Sequence, residues 1–137
     1  MLDMVPSNLI DLATAVRPAG SRVTCNPPVL DTDADFIVLV PAPVLALAKY
    51  TLRDEGFTGG TDDEYKDAEG AAPRFFAYRK GAAKIILTHD LDFFAAFTVA
   101  TAVAKRLNLL DKADRVALFQ AVLYRKASAE DLEALLS

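Results

Sequence analysis

Gly20-Ser21, eleven residues (22–32), then Asp33-Ala34-Asp35-Phe36-Ile37-Val38-Leu39-Val40 is the stretch whose reading decides this fold. The apolar run from Phe36 reads as a strand buried on both faces. Side chains alternate along a strand, so Asp33 and Asp35 point the same way, roughly 6–7 Å apart. Two carboxylates side by side repel, and beside an apolar strand they are costly to bury. A hard divalent cation such as Mg2+ removes that cost, since it prefers carboxylate oxygens. A Gly-Ser turn upstream can offer backbone N–H groups and a hydroxyl to a phosphate. Paired metal-holding acids beside a phosphate-holding turn are the parts needed for phosphoryl or nucleotidyl transfer. Asp31 lies earlier in the loop and reads as a solvated turn acid, a role open to the whole Asp-Thr-Asp-Ala-Asp run.

Working outward, residues 7–16 read as a helix with Leu9, Ile10, Leu12, Ala13 and Val16 as its stripe, and Pro18-Ala19-Gly20 ends it. Residues 21–25 read as a short strand and 35–40 as the central one. Residues 44–55 form a helix with Pro43 in its first turn, Gly56 at its C-terminal cap and Leu45, Ala48 and Leu52 on one face. Residues 58–72 hold glycines and a cluster of acids and read as a loop. Residues 74–78 and 84–88 read as strands of a hairpin turning at Lys80-Gly81-Ala82. A long helix then starts at Asp90 or Leu91 and buries Phe93, Phe97, Ala100, Ala104 and Leu107. Another spans 111–126 with Val116, Phe119 and Leu123 inward, and Ser128 with Asp131 opens a short last one. This order predicts a small α/β (α+β) domain: a mixed sheet with helices packed on one side, residues 1–137 forming one domain.

Hydrophobic residues make up 53% of the 137, enough for a core. The formal net charge of −4 argues against broad binding to nucleic acid, which needs many basic phosphate contacts. A single cysteine, Cys25, excludes an internal disulfide and suits a reducing cytoplasm. The longest apolar run is broken by Pro41 and Pro43 and is too short to span a bilayer, and Met1-Leu2-Asp3-Met4 does not read as a signal peptide.

With its spacing, Gly20-Ser21-Arg22 followed by Asp33-Ala34-Asp35-Phe36 resembles the signature of the DNA polymerase β-type nucleotidyltransferase superfamily, with Thr32 where many members have Ser. Later stretches resemble small phage-encoded nucleotidyltransferase-like proteins: Phe75-Phe76-Ala77-Tyr78-Arg79-Lys80-Gly81, Ile85-Ile86-Leu87-Thr88, Lys105-Arg106-Leu107-Asn108-Leu109 and 115–124. The resemblance implies a minimal nucleotidyltransferase fold with C-terminal helices, in a host cytoplasm if phage-encoded. It implies transfer of a nucleoside monophosphate from an NTP to an acceptor hydroxyl on a protein or RNA. Asp33 and Asp35 would hold Mg2+ or Mn2+, and Gly20, Ser21 and Arg22 would hold the triphosphate.

Such enzymes use a third acid on a neighbouring strand. Here Lys84 stands near its expected place, and Asp90, on the same parity beyond the strand end, is the candidate for catalysis and metal binding. Asp90 is equally suited to cap the helix that follows, and Asp92 suits that helix's first turn. If Lys84 replaces the acid, its ammonium pairs with Asp33 or Asp35. The protein is then a catalytically decayed member that binds and regulates a host or partner protein. A plain structural subunit is the third reading.

His89 has no partner for a zinc site, and Cys25 reads as a packed residue. Arg22 is a surface residue unless it grips phosphate. Tyr78, Arg79 and Lys80 could stack on a base, but a basic hairpin tip in solvent fits as well. Lys105, Arg106, Lys112 and Arg115 read as a solvated helix corner neutralised by Asp111 and Asp114, or as a phosphate patch.

Overall fold

The computed structural model of the chain describes residues 4–27, 33–67 and 73–125. Helix α1 (Ser7–Leu12) leads into β1 (Ala15–Ala19), the one-turn helix α2 (Ser21–Thr24) and β2 (Ala34–Leu39). A 3-10 turn (Ala42–Val44) runs into α3 (Leu45–Asp54), followed by β3 (Thr58–Gly60), β4 (Phe76–Lys80), β5 (Ala83–Thr88), α4 (Leu91–Leu107) and α5 (Lys112–Leu123). The strands form one mixed five-stranded sheet in the order β1-β2-β5-β4-β3. Only the central pair, β2 and β5, is parallel. Parallel neighbours need a long crossover, which α3, β3 and β4 supply.

Every residue of β2 and β5 is buried. That explains the unbroken apolar run, because helices cover both faces of the sheet rather than one. Phe36, Val38, Ile85 and Leu87 pack with Leu9 of α1 and with Ala48 and Leu52 of α3. Ile37, Leu39 and Ile86 pack on the other face with Phe93 and Phe97 of α4 and Phe119 of α5. The expected one-sided packing is therefore corrected. Alternation along β2 feeds two cores, and each needs its own cover.

Three segments depart from their sequence reading. The first helix stops at Leu12, and Val16 lies on β1 instead. Ala13 turns extended, and the pairing of β1 with β2 outweighs the weak helical stripe. Pro18 is tolerated because β1 is an edge strand. Residues 21–24 are helical rather than extended, since the N–H groups of Val23 and Thr24 turn back onto the Gly20 carbonyl. Thr58–Gly60, at the head of the expected loop, adds the far edge strand to the sheet. The helix expected at Ser128 lies outside the described residues. Among the described residues, no helix is long and apolar enough to cross a membrane.

Candidate functional site

The register of the sheet builds the site. Asp35 on β2 lies beside Lys84 on β5, which lies beside Arg79 on β4. Asp35 shares its face with Ile37 and Leu39, and Lys84 shares its face with Ile86, so both side chains emerge beneath α4 and α5. On the other side Asp35 is paired with Ala19, the last residue of β1. Gly20 follows, with φ 76° and ψ −176°, a region essentially reserved for glycine. A Cβ there would lie 2.7 Å from Asp35 Oδ2. The expected closeness of the Gly-Ser turn to the acids is met at Asp35, while Asp33 lies just ahead of the strand.

That geometry makes Gly20→Ala costly. Strained backbone plus the clash should destabilise the fold by about 2–4 kcal/mol, read as a fall in the denaturant midpoint. Shortening the facing acid, in Gly20→Ala/Asp35→Ala, should return the clash portion. A double variant no more stable than the sum of the two single losses would refute the contact.

A strap between β3 and β4 closes over the row. Asp62, buried at 4% exposure, accepts from Lys84 Nζ at 2.7 Å and from Arg79 Nη2 at 2.8 Å. Lys84 Nζ also lies 3.3 Å from Asp35 Oδ2. Arg79 Nη1 reaches the half-exposed Asp33 at 2.9 Å. Tyr65 Oη donates to Asp35 Oδ2 at 2.9 Å, while its ring packs against Phe97 and Phe119. Gln120 Nε2 donates to the Glu64 and Lys66 carbonyls, and Tyr124 Oη donates to the Tyr65 carbonyl, so α5 clamps the strap from behind. A cleft of about 290 Å³ remains, with Gly20, Ser21 and Thr24 on one wall, Lys112 and Arg115 of α5 on another, and Asp35 and Lys84 in its lining.

Burial pushes the Asp35 carboxyl up to about 6, and Lys84 offsets only part of that. Burial works against the Lys84 charge as well, but Asp35 and Asp62 outweigh it and its pKa rises. Lys84 is thus held as an ammonium between two carboxylates, and its shorter bond goes to Asp62. Burial, then the charge of Asp35, raises the Tyr65 phenol well above its ordinary value and keeps it a donor.

Asp62 and Tyr65 were not among the residues singled out in the sequence. The available signal was Tyr65 itself, a large aromatic inside an acidic loop, which is an unusual place for one unless it is buried.

Asp90 does not join this cluster. It follows the far end of β5, six residues and about 20 Å along the strand from Lys84. Its Oδ1 accepts from Phe93 N at 3.0 Å as the N-cap of α4, and its Oδ2 accepts from Arg74 Nε at 2.9 Å. The Arg74 bond holds its pKa below the ordinary carboxylate value. The third-acid and metal role expected of Asp90 is corrected to that of a helix cap. Strand direction puts it at the opposite end of the sheet.

The residues present also do not fit Mg2+ or Mn2+. Asp35 Oδ2 already receives a phenol and an ammonium, Asp62 Oδ2 receives two cations and Asp33 Oδ2 receives one. A divalent ion between them would meet the charges of Lys84 and Arg79 at close range. Among the described residues, no group of three or more metal-ligating side chains could hold an ion.

Other candidates resolve plainly. Ser21 lines the cleft and Arg22 does not. Tyr78 is buried at 3% exposure on the opposite face, so it offers no stacking platform. Lys80 Nζ bonds to the Glu55 carbonyl. Arg115 Nη1 ties together the Leu109 and Leu110 carbonyls and Cys25 Sγ, and Lys112 pairs with Glu64 at 3.4 Å. Cys25 is packed, as expected, and His89 is exposed. No protein-family model and no curated protein matches the chain.

Proposed function

We propose that this chain is a nucleotidyltransferase-type domain that has given up metal-dependent transfer and acts by binding a partner protein. The observation that carries this reading is the Lys84 ammonium, 2.7 Å from Asp62 and 3.3 Å from Asp35. Lys84 is the lateral neighbour of Asp35 on the adjacent parallel strand, where the family resemblance implies a third acid. A carboxylate at that place adds to a metal's shell, whereas an ammonium takes the metal's place between the acids. The nucleotidyl-transfer reading retains one supporting feature, the approach of Gly20 to Asp35.

A label-transfer assay decides between the two. Wild type with each radiolabelled NTP and Mn2+ should incorporate no more label than Asp33→Ala/Asp35→Ala. Mg2+ with NTP should leave its melting temperature unchanged, since a ligand that binds the native state would raise it. Incorporation above the double-variant background would restore the transferase reading.

A further inference from the structure

We infer that the groove between β1 and α4 is a docking surface for an acidic peptide segment with an apolar anchor, an inference that rests on the binding-protein reading. The groove holds about 400 Å³ and is separate from the charged cleft, with which it shares no lining residue. Its floor is apolar, formed by Ile37 and Phe94, with the exposed Pro18 at its edge. Its charged residues are both cations: Arg17 on the strand and Lys105 on the helix, each exposed. Among the described residues no carboxylate lines it, in a chain of net charge −4. A basic rim around an apolar floor, set in an acidic molecule, selects an occupant of opposite charge with a side chain to bury. The hydroxyls of Thr98 and Thr101 donate back to the carbonyls of Ala95 and Phe97, leaving their oxygens as acceptors for a peptide N–H.

Two features favour peptide over nucleic acid. Two cations supply few phosphate contacts. Phe94, the aromatic of the floor, is only 9% exposed and presents no face for base stacking. Sheet extension contributes little. β1 is an edge strand, but Pro18 lacks an N–H and leaves only Ala15–Arg17 ahead of it to pair. Side-chain anchoring and charge therefore carry the recognition.

The test uses fluorescence polarisation with two labelled hexapeptides. One has Leu-Phe flanked by pairs of Glu, and the other has Lys in place of each Glu. Wild type should bind the acidic peptide about tenfold or more tightly than the basic one, with a preference that weakens as salt is added. Arg17→Glu/Lys105→Glu should invert the preference while its melting curve stays close to wild type, because both side chains are exposed. Ala102→Trp, which fills the exposed helical wall of the groove, should weaken binding of either peptide. No binding of the acidic peptide, equal binding of the two, or tighter binding of an oligothymidylate would each overturn the inference. Label incorporation by a protein that still binds the acidic peptide would remove the parent reading and leave the groove standing.

Discussion

Lys84→Met should cost about 3–5 kcal/mol, enough to bring a domain of ordinary stability close to unfolding at neutral pH. The substitution keeps an unbranched chain of similar length and removes the ammonium, with its charge and its hydrogen bond to Asp62. It leaves Asp35 and Asp62, at 6% and 4% exposure, facing each other without the ammonium between them. Arg79 still reaches Asp62, so the loss falls mainly on Asp35. Denaturant midpoints measure it. The rescue is the sharper arm, because Lys84→Met/Asp35→Asn/Asp62→Asn should recover most of the loss. Replacing a buried ionic cluster by neutral groups is often tolerated, whereas leaving half of one is not. A single variant within about 1 kcal/mol of wild type would show that Lys84 does not hold the cluster together.

Asp35→Asn should raise stability at pH 7.5 by about 3 kcal/mol, because an upward shift of two pKa units is worth that much when the group ionises. The sign follows from proton counting. With its carboxyl at about 6 in the folded chain against 3.8 when free, Asp35 binds more protons folded than unfolded between those values. Its contribution is fully present below about pH 4 and is lost as pH rises through about 6. Asp90, with a lowered pKa, works in the opposite direction at the acid end. The informative quantity is therefore the difference between wild type and Asp35→Asn, which should grow from near zero at pH 4 to its full value above pH 7. A difference that stays flat across that range would remove the charge of Asp35 as a source of strain.

Much of this layout was legible in the chain because β2 advertises itself. Seven successive buried residues bounded by Asp33 and Pro41 leave little alternative to a central strand. The hairpin at Gly81 and the buried stripe of α4 were equally clear, each being written in local chemistry, whereas Asp90 read equally well as a cap and as a third acid until its bonds to Phe93 and Arg74 decided it. Failures came where partners are distant in sequence. β1 shares its few residues with a plausible helical stripe, and only β2 decides between them. The strap was invisible because Asp62 and Tyr65 take their roles from Lys84, Asp35 and α5, none of which adjoins them in the chain. The placing of Lys84 against Asp35 was anticipated as one of two arrangements. Choosing between them required the direction of β5, which periodicity does not encode.

The parallel pairing of β2 with β5 also sets a timetable for biosynthesis. The hairpin of β4 and β5 and the ribbon of β1 and β2 can each form from nearby residues, but joining them brings together positions about fifty residues apart. While the ribosome has released only the first half of the chain, the β5-facing edge of β2 has no mate, and the face carrying Ile37 and Leu39 lacks α4 and α5. A nascent chain in that state carries the hazards of an open sheet edge, and slow long-range closure lengthens the exposure. The full β2–β5 register closes only once Thr88 has left the exit tunnel, and until then β2 is a strand waiting for its neighbour.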